Sequence, residues 1–331
     1  AIPDNFVLVV VASSRTFAPD RITQMEQNIY IIGAGAIGKA LAVFLTHEGR
    51  KVFLLRSSVD NVSEQRQKLE VLTSNQDSIK APVMITSVDS LKALDGVVVL
   101  ANKSFANTKL AEGLATKIGK SPIVIMQNGL DVETPFLDDP FTDVYRCVLF
   151  STSQAISDTV VRFKPVSASA IGPVRGDGKG LGELTHLIHT SHFPFAGVDD
   201  IKPIVWIKVI ANCVFNSVCP LLEADNGIFQ RSRSALAIAE TIVDECLQVA
   251  QHAGVLLDKQ NVLKTVLNIS KSSDGQLIST LQDIRNKRPT EIESLNFAMV
   301  KAAERMNLVH TTPVTKLLGQ LTKLKSDLSL Q

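Results

Sequence analysis

The sequence has no excess of charge of one sign. It contains 34 lysine and arginine residues against 33 aspartate and glutamate residues, which gives a formal net charge of +1, and it has no run of like charge. Nucleic acids and anionic membrane surfaces are bound by clustered basic residues. We therefore expect neither nucleic acid nor membrane as a partner.

Paired cysteines are also missing. The four cysteines, at positions 147, 213, 219 and 246, show no Cys-x-x-Cys spacing and no histidine companion at metal-site spacing. This pattern is typical of reduced, mostly buried cysteines in a protein of the cytoplasm. We predict no metal site and a cytoplasmic location.

Long apolar runs that would suit a bilayer are equally scarce. The most apolar stretch, residues 204–222, is interrupted by Lys208, Asn212 and Asn216. A membrane-spanning helix needs about 20 consecutive, predominantly apolar residues. The sequence therefore predicts no membrane-spanning helix.

The N-terminal part carries no convincing element of the fold. A short apolar run at residues 6–12 has no positive charge before it, so a secretory signal is not expected. The first convincing element begins at Asn28, and Met25 is a plausible native start. We interpret residues 1–24 as an extension outside the fold.

From residue 28 onward, short apolar runs alternate with helix-like stretches. Strands are predicted at residues 28–32, 51–55, 83–85, 97–100 and 123–126, with an irregular β-rich stretch at 144–172. Helices are predicted at 39–49 and from about residue 181, then at 204–222, 234–252, 261–269 and 291–306. Alternating strands and helices indicate a parallel sheet with helices on its faces. We predict an α/β domain of the Rossmann type at residues 25–198, followed by an all-α domain at residues 199–331.

A glycine motif stands where the first predicted strand meets the first helix. Gly33, Gly35 and Gly38 form G-x-G-x-x-G, with Ala36 and Ile37 between the last two. The first glycine permits a tight turn, the second lets a pyrophosphate approach the backbone, and the third allows close helix–strand packing. The motif alone is weak, but its strand–turn–helix context predicts a dinucleotide site.

The residues after the second strand indicate which dinucleotide is bound. An NAD site usually has an acidic residue there for the ribose hydroxyls. This chain instead has Arg56 and Ser57, with no acid before Asp60. Arginine can pair with a 2′-phosphate, although a solvated surface arginine remains the alternative. NADPH is the favoured cofactor.

Three polar residues share one face of the apolar helix at 204–222. Lys208, Asn212 and Asn216 are spaced four residues apart, which turns each about 40° from the last and spans roughly 12 Å in all. Burying an ammonium or an amide is costly unless a polar group meets it. We interpret the stripe as a site for a small polar ligand, against the alternative of a solvent-facing or structural polar face.

Other polar residues follow strands or open helices. Lys103 follows the strand at 97–100 and Asn128 follows the strand at 123–126, where ligands of open α/β sheets bind. Each has an ordinary alternative, a surface charge for Lys103 and a turn before glycine for Asn128. Glu291 is predicted in the first turn of the helix at 291–306, as a counter-charge for a buried lysine or a dipole-favoured glutamate.

These motifs together resemble the ketopantoate 2-reductase (2-dehydropantoate 2-reductase) family. The resemblance is carried by the following segments, in family order: GAGAIG at 33–38, QNG at 127–129, W-x-K-x3-N-x3-N at 206–216, NG at 226–227, STLQD at 279–283 and RPTEI at 288–292. It covers residues 28 to about 318. The chain departs from the family pattern at residues 157–163, SDTVVRF, where the family tends to carry a glycine and a histidine.

The resemblance implies an NADPH-dependent reduction of a 2-oxo acid in pantothenate synthesis, in a cleft between two domains. Lys208 would be the catalytic acid and Glu291 its carboxylate partner. Asn128 would lie near the nicotinamide, and Lys103 would lie at the cofactor side of the cleft. The implied substrate ligands are Asn212, Asn216, Asn226 and Ser279.

The implied chemistry suits these residue types. An ammonium aimed at the ketone oxygen can stabilise developing negative charge there and supply the proton. Burial would lower the pKa of Lys208, and a nearby carboxylate would raise it.

Two other functions remain open. The chain could be a paralogue that reduces another branched 2-oxo acid, or an NADPH-binding protein without catalysis. As for assembly, we expect a monomer or a homodimer.

Overall fold

The computed structural model describes residues 27–57, 62–73 and 77–331. The extension interpreted at residues 1–24, Met25 and Asp60 lie outside the described residues. The chain forms two compact units. Unit 1 contains the described residues up to Gln127 together with Glu133–Ile201, and unit 2 contains Asn128–Val132 together with Lys202–Gln331.

Unit 1 is built on a single sheet. Its eleven strands are β1 Asn28–Ile32, β2 Val52–Arg56, β3 Gln65–Leu72, β4 Ser78–Ser87, β5 Gly96–Leu100, β6 Ile123–Ile125, β7 Val144–Val148, β8 Ser151–Ala155, β9 Val160–Pro165, β10 Ser169–Arg175 and β11 Phe195–Gly197. The strand order is β11-β10-β7-β6-β5-β1-β2-β4-β3-β9-β8.

The centre of the sheet is parallel and buried. β1 pairs in parallel with β5 on one side and β2 on the other, and β2 and β5 pair in parallel with β4 and β6. Strands β1, β2, β5 and β6 are near-continuous apolar runs, as expected when both faces are covered. Chain order reverses between β1 and β5, so the carboxyl ends of these two strands mark the ligand-binding edge of the sheet.

Helices of unit 1 are α1 Ala36–His47, α2 Asn107–Ala115 and α3 Leu181–Ile188. Two short 3-10 turns accompany them, at Ser104–Ala106 and Thr134–Phe136. The seven residues of α1 that are buried include Leu41, Phe44 and Leu45, which join the core formed by the strands. Helix α1 therefore holds the glycine motif against the sheet.

The described elements of unit 2 are all helical. They are α4 Lys202–Leu222, α5 Ile228–Arg231, α6 Arg233–His252, α7 Lys259–Ser272, α8 Ser279–Arg285, α9 Asn296–Arg305 and α10 Pro313–Ser329, with a 3-10 turn at Ile292–Ser294. The predicted fold class, a Rossmann-type α/β domain followed by an all-α C-terminal domain, is confirmed.

Helix α4 is the central helix of unit 2. By length and composition it could cross a membrane, and 83% of its most apolar 18-residue window is buried inside the protein. The sequence-based expectation that its polar residues would exclude it on length and composition is wrong, because the mean hydropathy of the window is 1.6 in spite of them. Such burial is what a core helix of a packed domain shows.

Several predicted elements differ from those observed. Strand β3 was not predicted, and β4 is ten residues long rather than three, because these two form an antiparallel hairpin with half-exposed, polar-rich positions. The β-rich stretch at 144–172 resolves into four strands, β7 to β10. The predicted helix at 291–306 begins only at Asn296, since Leu295 has φ −110° and ψ −97° and interrupts the helical backbone.

Candidate active site

Two of the three motif glycines are required by the fold itself. Gly33 has a φ of 119°, and a Cβ there would lie 2.4 Å from the backbone nitrogen of Asn102. A Cβ on Gly38 would lie 1.9 Å from the carbonyl oxygen of Gly33. These glycines therefore permit the turn after β1 and the close packing of α1 on it.

Gly35 has no such structural reason. No atom lies within 4 Å of the position that its Cβ would occupy, and its φ of −76° is open to any residue. Helix α1 starts here with no side-chain cap and no acidic residue in its first turn. The backbone N–H groups of Ala36 and Ile37 at this helix start suit an anion, so the turn fits the pyrophosphate of a dinucleotide.

Two cations accompany the glycine turn. Arg56 ends β2 and is exposed, and no ion pair of Arg56 is found among the described residues. Burial lowers the pKa of Lys39 in α1, and the nearby positive charge of Arg56 lowers that pKa further, while Asp158 raises it. The Lys39 ammonium donates a hydrogen bond to the backbone oxygen of Asp158, 2.7 Å away. Lys39 and Arg56 thus form a pair of like charges that an anion would stabilise.

Sequence reasoning missed Lys39, although it directly follows the third glycine of the motif. Its contact residue, Asp158, lies in the segment 157–163 that departs from the family pattern. That departure therefore adjoins the pair of cations. Sequence alone does not relate this segment to Lys39, because the two bonded residues are 119 positions apart.

The end of β5 adds a free acceptor next to the glycine turn. Asn102 lies against Gly33, and its side-chain nitrogen donates to the backbone oxygen of Lys103, 3.0 Å away. Within the described chain, the buried oxygen Oδ1 of Asn102 has no hydrogen-bond partner. Asn102 is thus a candidate ligand residue that the sequence analysis did not select, whereas the cofactor role of half-buried Lys103 remains a prediction.

The segment after β6 is held at both ends. Gln127 and Asn107 are buried and exchange two amide hydrogen bonds, of 2.7 and 2.8 Å. Gly129 has a φ of 117°, and a Cβ there would lie 2.5 Å from the carbonyl oxygen of Ser294. The N–H of Leu130 donates to that same oxygen, at 3.0 Å. Asn128, the predicted cofactor residue between these contacts, is half-buried.

Lys208 lies on α4 with its side chain half-buried. Burial lowers the pKa of its ammonium below the ordinary lysine value. Among the described residues no hydrogen bond or ion pair compensates this burial. Asn212, one turn further along, is 9% exposed, and its side-chain amide likewise has no partner in the described chain. These two residues therefore place an unpaired ammonium and an unpaired amide one turn apart on α4.

Asn216, the third residue of the stripe, is committed to a neighbouring helix. Its oxygen Oδ1 accepts hydrogen bonds from the hydroxyl groups of Ser279 and Thr280, at 3.3 and 2.8 Å, and from the Thr280 N–H at 3.4 Å. Its side-chain nitrogen donates to the backbone oxygen of Asn212, at 3.2 Å. Asn216 thus caps the start of α8 from α4 and places exposed Ser279 beside the stripe.

Replacing Asn216 with alanine is expected to lower the free energy of unfolding by about 1–3 kcal/mol, because buried donors of Thr280 lose their acceptor. Urea denaturation followed by circular dichroism measures this. The matched control is Thr241→Ala, which removes an exposed hydroxyl on α6 bonded to the backbone oxygen of Ala237 and should cost less than about 0.5 kcal/mol. Equal losses in the two variants would contradict the capping role.

Glu291 does not lie on a helix. It precedes the 3-10 turn Ile292–Ser294, is half-buried, and its backbone oxygen accepts hydrogen bonds from the Ser294 N–H and hydroxyl. The expectation that Glu291 lies in the first turn of a helix is wrong, because the helical backbone starts only at Asn296. The role of Glu291 as a partner of the lysine remains a prediction.

Asn226 is buried near the start of α8. Its N–H donates to the backbone oxygen of Gln276, and its own backbone oxygen accepts from the Ser270 hydroxyl. Within the described chain, its side-chain oxygen Oδ1 is buried without a hydrogen-bond partner. Asn226 therefore has an acceptor to offer, and its substrate role remains a prediction.

Cysteine and metal chemistry are not supported by the described residues. All four cysteines are free and buried. Burial raises the pKa of the Cys219 thiol to about 12, which suppresses thiolate reactivity. In the described part of the chain, histidine, cysteine, aspartate and glutamate side chains form no group of three that could hold a metal ion.

The sequence matches two family profiles. One, described as ketopantoate reductase PanE/ApbA, matches residues 29–176, and the other, described as ketopantoate reductase PanE/ApbA C terminal, matches residues 200–326. Together they cover most of the chain. The protein belongs to the ketopantoate reductase family and is an oxidoreductase with a dinucleotide-binding Rossmann domain.

Individual relatives are distant but extend over the whole fold. The chain is 23% identical to a 2-dehydropantoate 2-reductase of Streptococcus pyogenes serotype M3 over 316 residues, which covers 90% of this chain and 97% of that one. The crystal structure of a PanE/ApbA family ketopantoate reductase from Ralstonia eutropha JMP134 matches with a TM-score of 0.79 at 21% identity, covering 92% and 100% of the two chains.

A second solved structure has the same fold, but its name gives a different activity. It is D-mandelate dehydrogenase in a ternary structure with NADH and anilino(oxo)acetate. It matches with a TM-score of 0.79 at 22% identity, covering 91% of this chain and 99% of that one. At this identity the likeness shows the fold alone.

Proposed function

We propose that this protein reduces the 2-ketone of a 2-oxo acid with NADPH, and that ketopantoate is the substrate, in the pantothenate pathway of the cytoplasm. The observation that carries the proposal is Lys208, a half-buried ammonium with a lowered pKa and no partner among the described residues, one helical turn from the unpaired amide of Asn212. The name shared by the curated relatives supports ketopantoate as the substrate.

Each residue has a separate task in this proposal. NADPH supplies the hydride when it is bound. Lys208 stabilises the negative charge that develops on the ketone oxygen and donates a proton to it. The lowered pKa of the ammonium makes that proton easier to transfer. Asn212 donates an amide hydrogen bond to another oxygen of the substrate, and Ser279 and Asn226 contribute further polar contacts.

The cofactor tasks fall to the residues around the glycine turn. The N–H groups at the start of α1 bind the pyrophosphate, and Gly35 leaves the space that it needs. Arg56 pairs with the 2′-phosphate, and Lys39 adds a second positive charge nearby. Asn128 lies near the nicotinamide, and Lys103 lies on the cofactor side of the site.

Replacing Arg56 with alanine is expected to raise the Kd of NADPH by about 10- to 150-fold, the loss of one charge-assisted hydrogen-bonding group. The Kd of NADH should change less than about threefold, because NADH has no 2′-phosphate. Fluorescence titration of the reduced cofactors measures both constants. The matched control is Arg66→Ala, which removes an exposed arginine from β3. Equal losses for NADPH and NADH would refute the 2′-phosphate role.

The activity itself is tested by following NADPH oxidation with ketopantoate and a panel of 2-oxo acids. We expect the highest kcat/KM for ketopantoate. A higher value for a bulkier or aromatic 2-oxo acid would instead identify a paralogous reductase, a candidate favoured by the fold shared with D-mandelate dehydrogenase. Tight NADPH binding without oxidation by any of these acids would identify a non-catalytic binding protein.

A further inference from the structure

The part of unit 2 that carries Asn128 is a short loop with an unusual backbone. We call residues 128–132 the Asn128 loop. Gly129 has a φ of 117° and Asp131 has a φ of 59°, so two of its five residues lie in the left-handed region. Glycine adopts that region freely, whereas aspartate adopts it only as a minority conformation. Such a backbone persists where surrounding contacts hold it.

Those contacts come from Ser294 and Arg305 of the same unit. The carbonyl oxygen of Ser294 accepts a hydrogen bond from the N–H of buried Leu130 at 3.0 Å, and a Cβ on Gly129 would lie 2.5 Å from that oxygen. The Arg305 guanidinium forms an ion pair with the Asp131 carboxylate. The Asn128 loop is thus packed directly onto the backbone of Ser294, at a distance that only glycine permits.

Ser294 also closes the turn that carries Glu291. We call residues 291–294 the Glu291 turn. The backbone N–H and the hydroxyl of Ser294 both donate to the carbonyl oxygen of Glu291, each at 3.0 Å. Ser294 therefore bonds to the Asn128 loop through its carbonyl group and to Glu291 through its two donors. A single residue joins the loop of Asn128 to the turn of Glu291.

Asn296, two residues further on, ties this turn to α4. It is fully buried, and its side-chain nitrogen donates to the backbone oxygen of Cys213 on α4, at 3.3 Å. A buried amide donor is costly to leave unpaired, so this bond resists displacement. The Glu291 turn therefore has a fixed place relative to the helix that carries Lys208.

We propose that Ser294 is a positioning residue that couples cofactor binding at Asn128 to the placement of the Glu291 carboxylate. This inference rests on the proposed function, in which Asn128 lies near the nicotinamide and Glu291 is the partner of Lys208. A bound cofactor that contacts Asn128 restricts the Asn128 loop, and the loop restricts the Glu291 turn through Ser294. Two sites are coupled when both act on one such shared element.

Hydrogen–deuterium exchange of the full chain, with and without saturating NADPH, tests the coupling without turnover. We expect NADPH to slow exchange of the amides of the Glu291 turn by at least about threefold, because opening of the turn then also requires the loop to open. Asn128→Ala should abolish this protection. The glycine turn at residues 33–38 should stay protected in that variant, since saturating cofactor is still bound there.

Ser294→Ala tests the positioning role in catalysis, because it removes the hydroxyl bond to Glu291 and keeps the carbonyl bond to Leu130. We expect kcat to fall about three- to tenfold, the effect of one hydrogen bond. The KM of the 2-oxo acid should change less than about twofold, since this residue makes none of the proposed substrate contacts. In a Glu291→Gln background the same substitution should lower kcat no further, because it acts through that carboxylate.

The matched control is Glu304→Gln. It removes an ion pair with Lys316 from α9, the helix that also contains Arg305, and leaves the contacts of the Asn128 loop in place. Exposed ion pairs contribute little, so kcat and the exchange of the Glu291 turn should both stay within about twofold of wild type.

Three results would overturn the proposal. They are a Glu291 turn that NADPH leaves unprotected while the glycine turn is protected, protection of the Glu291 turn that survives Asn128→Ala, and an equal fall in kcat on Ser294→Ala with and without Glu291→Gln. Failure of the proposed function is seen separately, as full turnover in Lys208→Ala. The exchange experiment is independent of that result, because it needs no turnover.

Discussion

Replacing Lys208 with alanine is expected to lower kcat for 2-oxo acid reduction by about 10²- to 10⁴-fold, the usual contribution of a positioned general acid. The variant loses both the positive charge that would face the ketone oxygen and the proton that would be transferred to it. Its Kd for NADPH should change less than about threefold, because the proposed cofactor contacts lie around the glycine turn. Steady-state kinetics and a cofactor titration measure the two effects.

The matched control is Lys202→Ala, which removes an exposed lysine from the same helix. It removes one hydrogen bond to the backbone oxygen of Ala253 and should leave kcat within about twofold. Should Lys208→Ala keep the turnover of the wild type, the assignment of the acid fails.

The dependence of activity on pH tests the role of Lys208 independently. Burial lowers the pKa of Lys208 below the ordinary value of 10.5, and the proposed acid must be protonated to act. Activity should therefore be full at low and neutral pH and should fall as pH rises through this lowered pKa. In Lys208→Ala that alkaline fall should disappear from the residual activity.

Replacing Gly35 with alanine should weaken cofactor binding, whereas replacing Gly38 with alanine should destabilise the fold. At Gly35 nothing lies within 4 Å of the added methyl group, so the free energy of unfolding should stay within about 0.5 kcal/mol of wild type. The methyl group would fill space that the pyrophosphate needs, and the Kd of NADPH should rise about tenfold or more.

At Gly38 the added carbon would lie 1.9 Å from the carbonyl oxygen of Gly33, so β1 and α1 must move apart. Overpacking of this kind costs about 1–3 kcal/mol, occasionally more. Thermal denaturation and cofactor titration on the same two samples separate the effects. A destabilised Gly35→Ala that still binds NADPH normally would contradict this division of roles between the glycines.

The sequence was most informative where the structural reason is local. Gly33 and Gly38 are needed within one turn, and the apolar runs of β1, β2 and β5 are buried wherever they pair, so both features could be predicted. Strand β3 could not, because its exposed, charged residues are held by pairing with β4 rather than by an apolar pattern. Here tertiary pairing outweighs local propensity.

For the site, the spacing of residues on one helix predicted which side chains lie together. Contacts between residues distant in the sequence could not be predicted in this way. Lys208 and Asn212 share a face of α4 because four residues make about one turn. Spacing could not reveal that Asn216 caps a helix 64 residues later. It also could not reveal that the positive charge of Arg56 lowers the pKa of Lys39.

The position of Asn128–Val132 within unit 2 has a consequence for dissecting the protein. The helical unit is not one continuous stretch of polypeptide. A fragment beginning at Lys202 would leave the Ser294 carbonyl without the Leu130 N–H and Arg305 without its ion-pair partner Asp131. Likewise, a single proteolytic cut between Ile201 and Lys202 would leave Asn128–Val132, a part of unit 2, on the polypeptide that carries unit 1. One cleavage therefore cannot divide the chain into its two units.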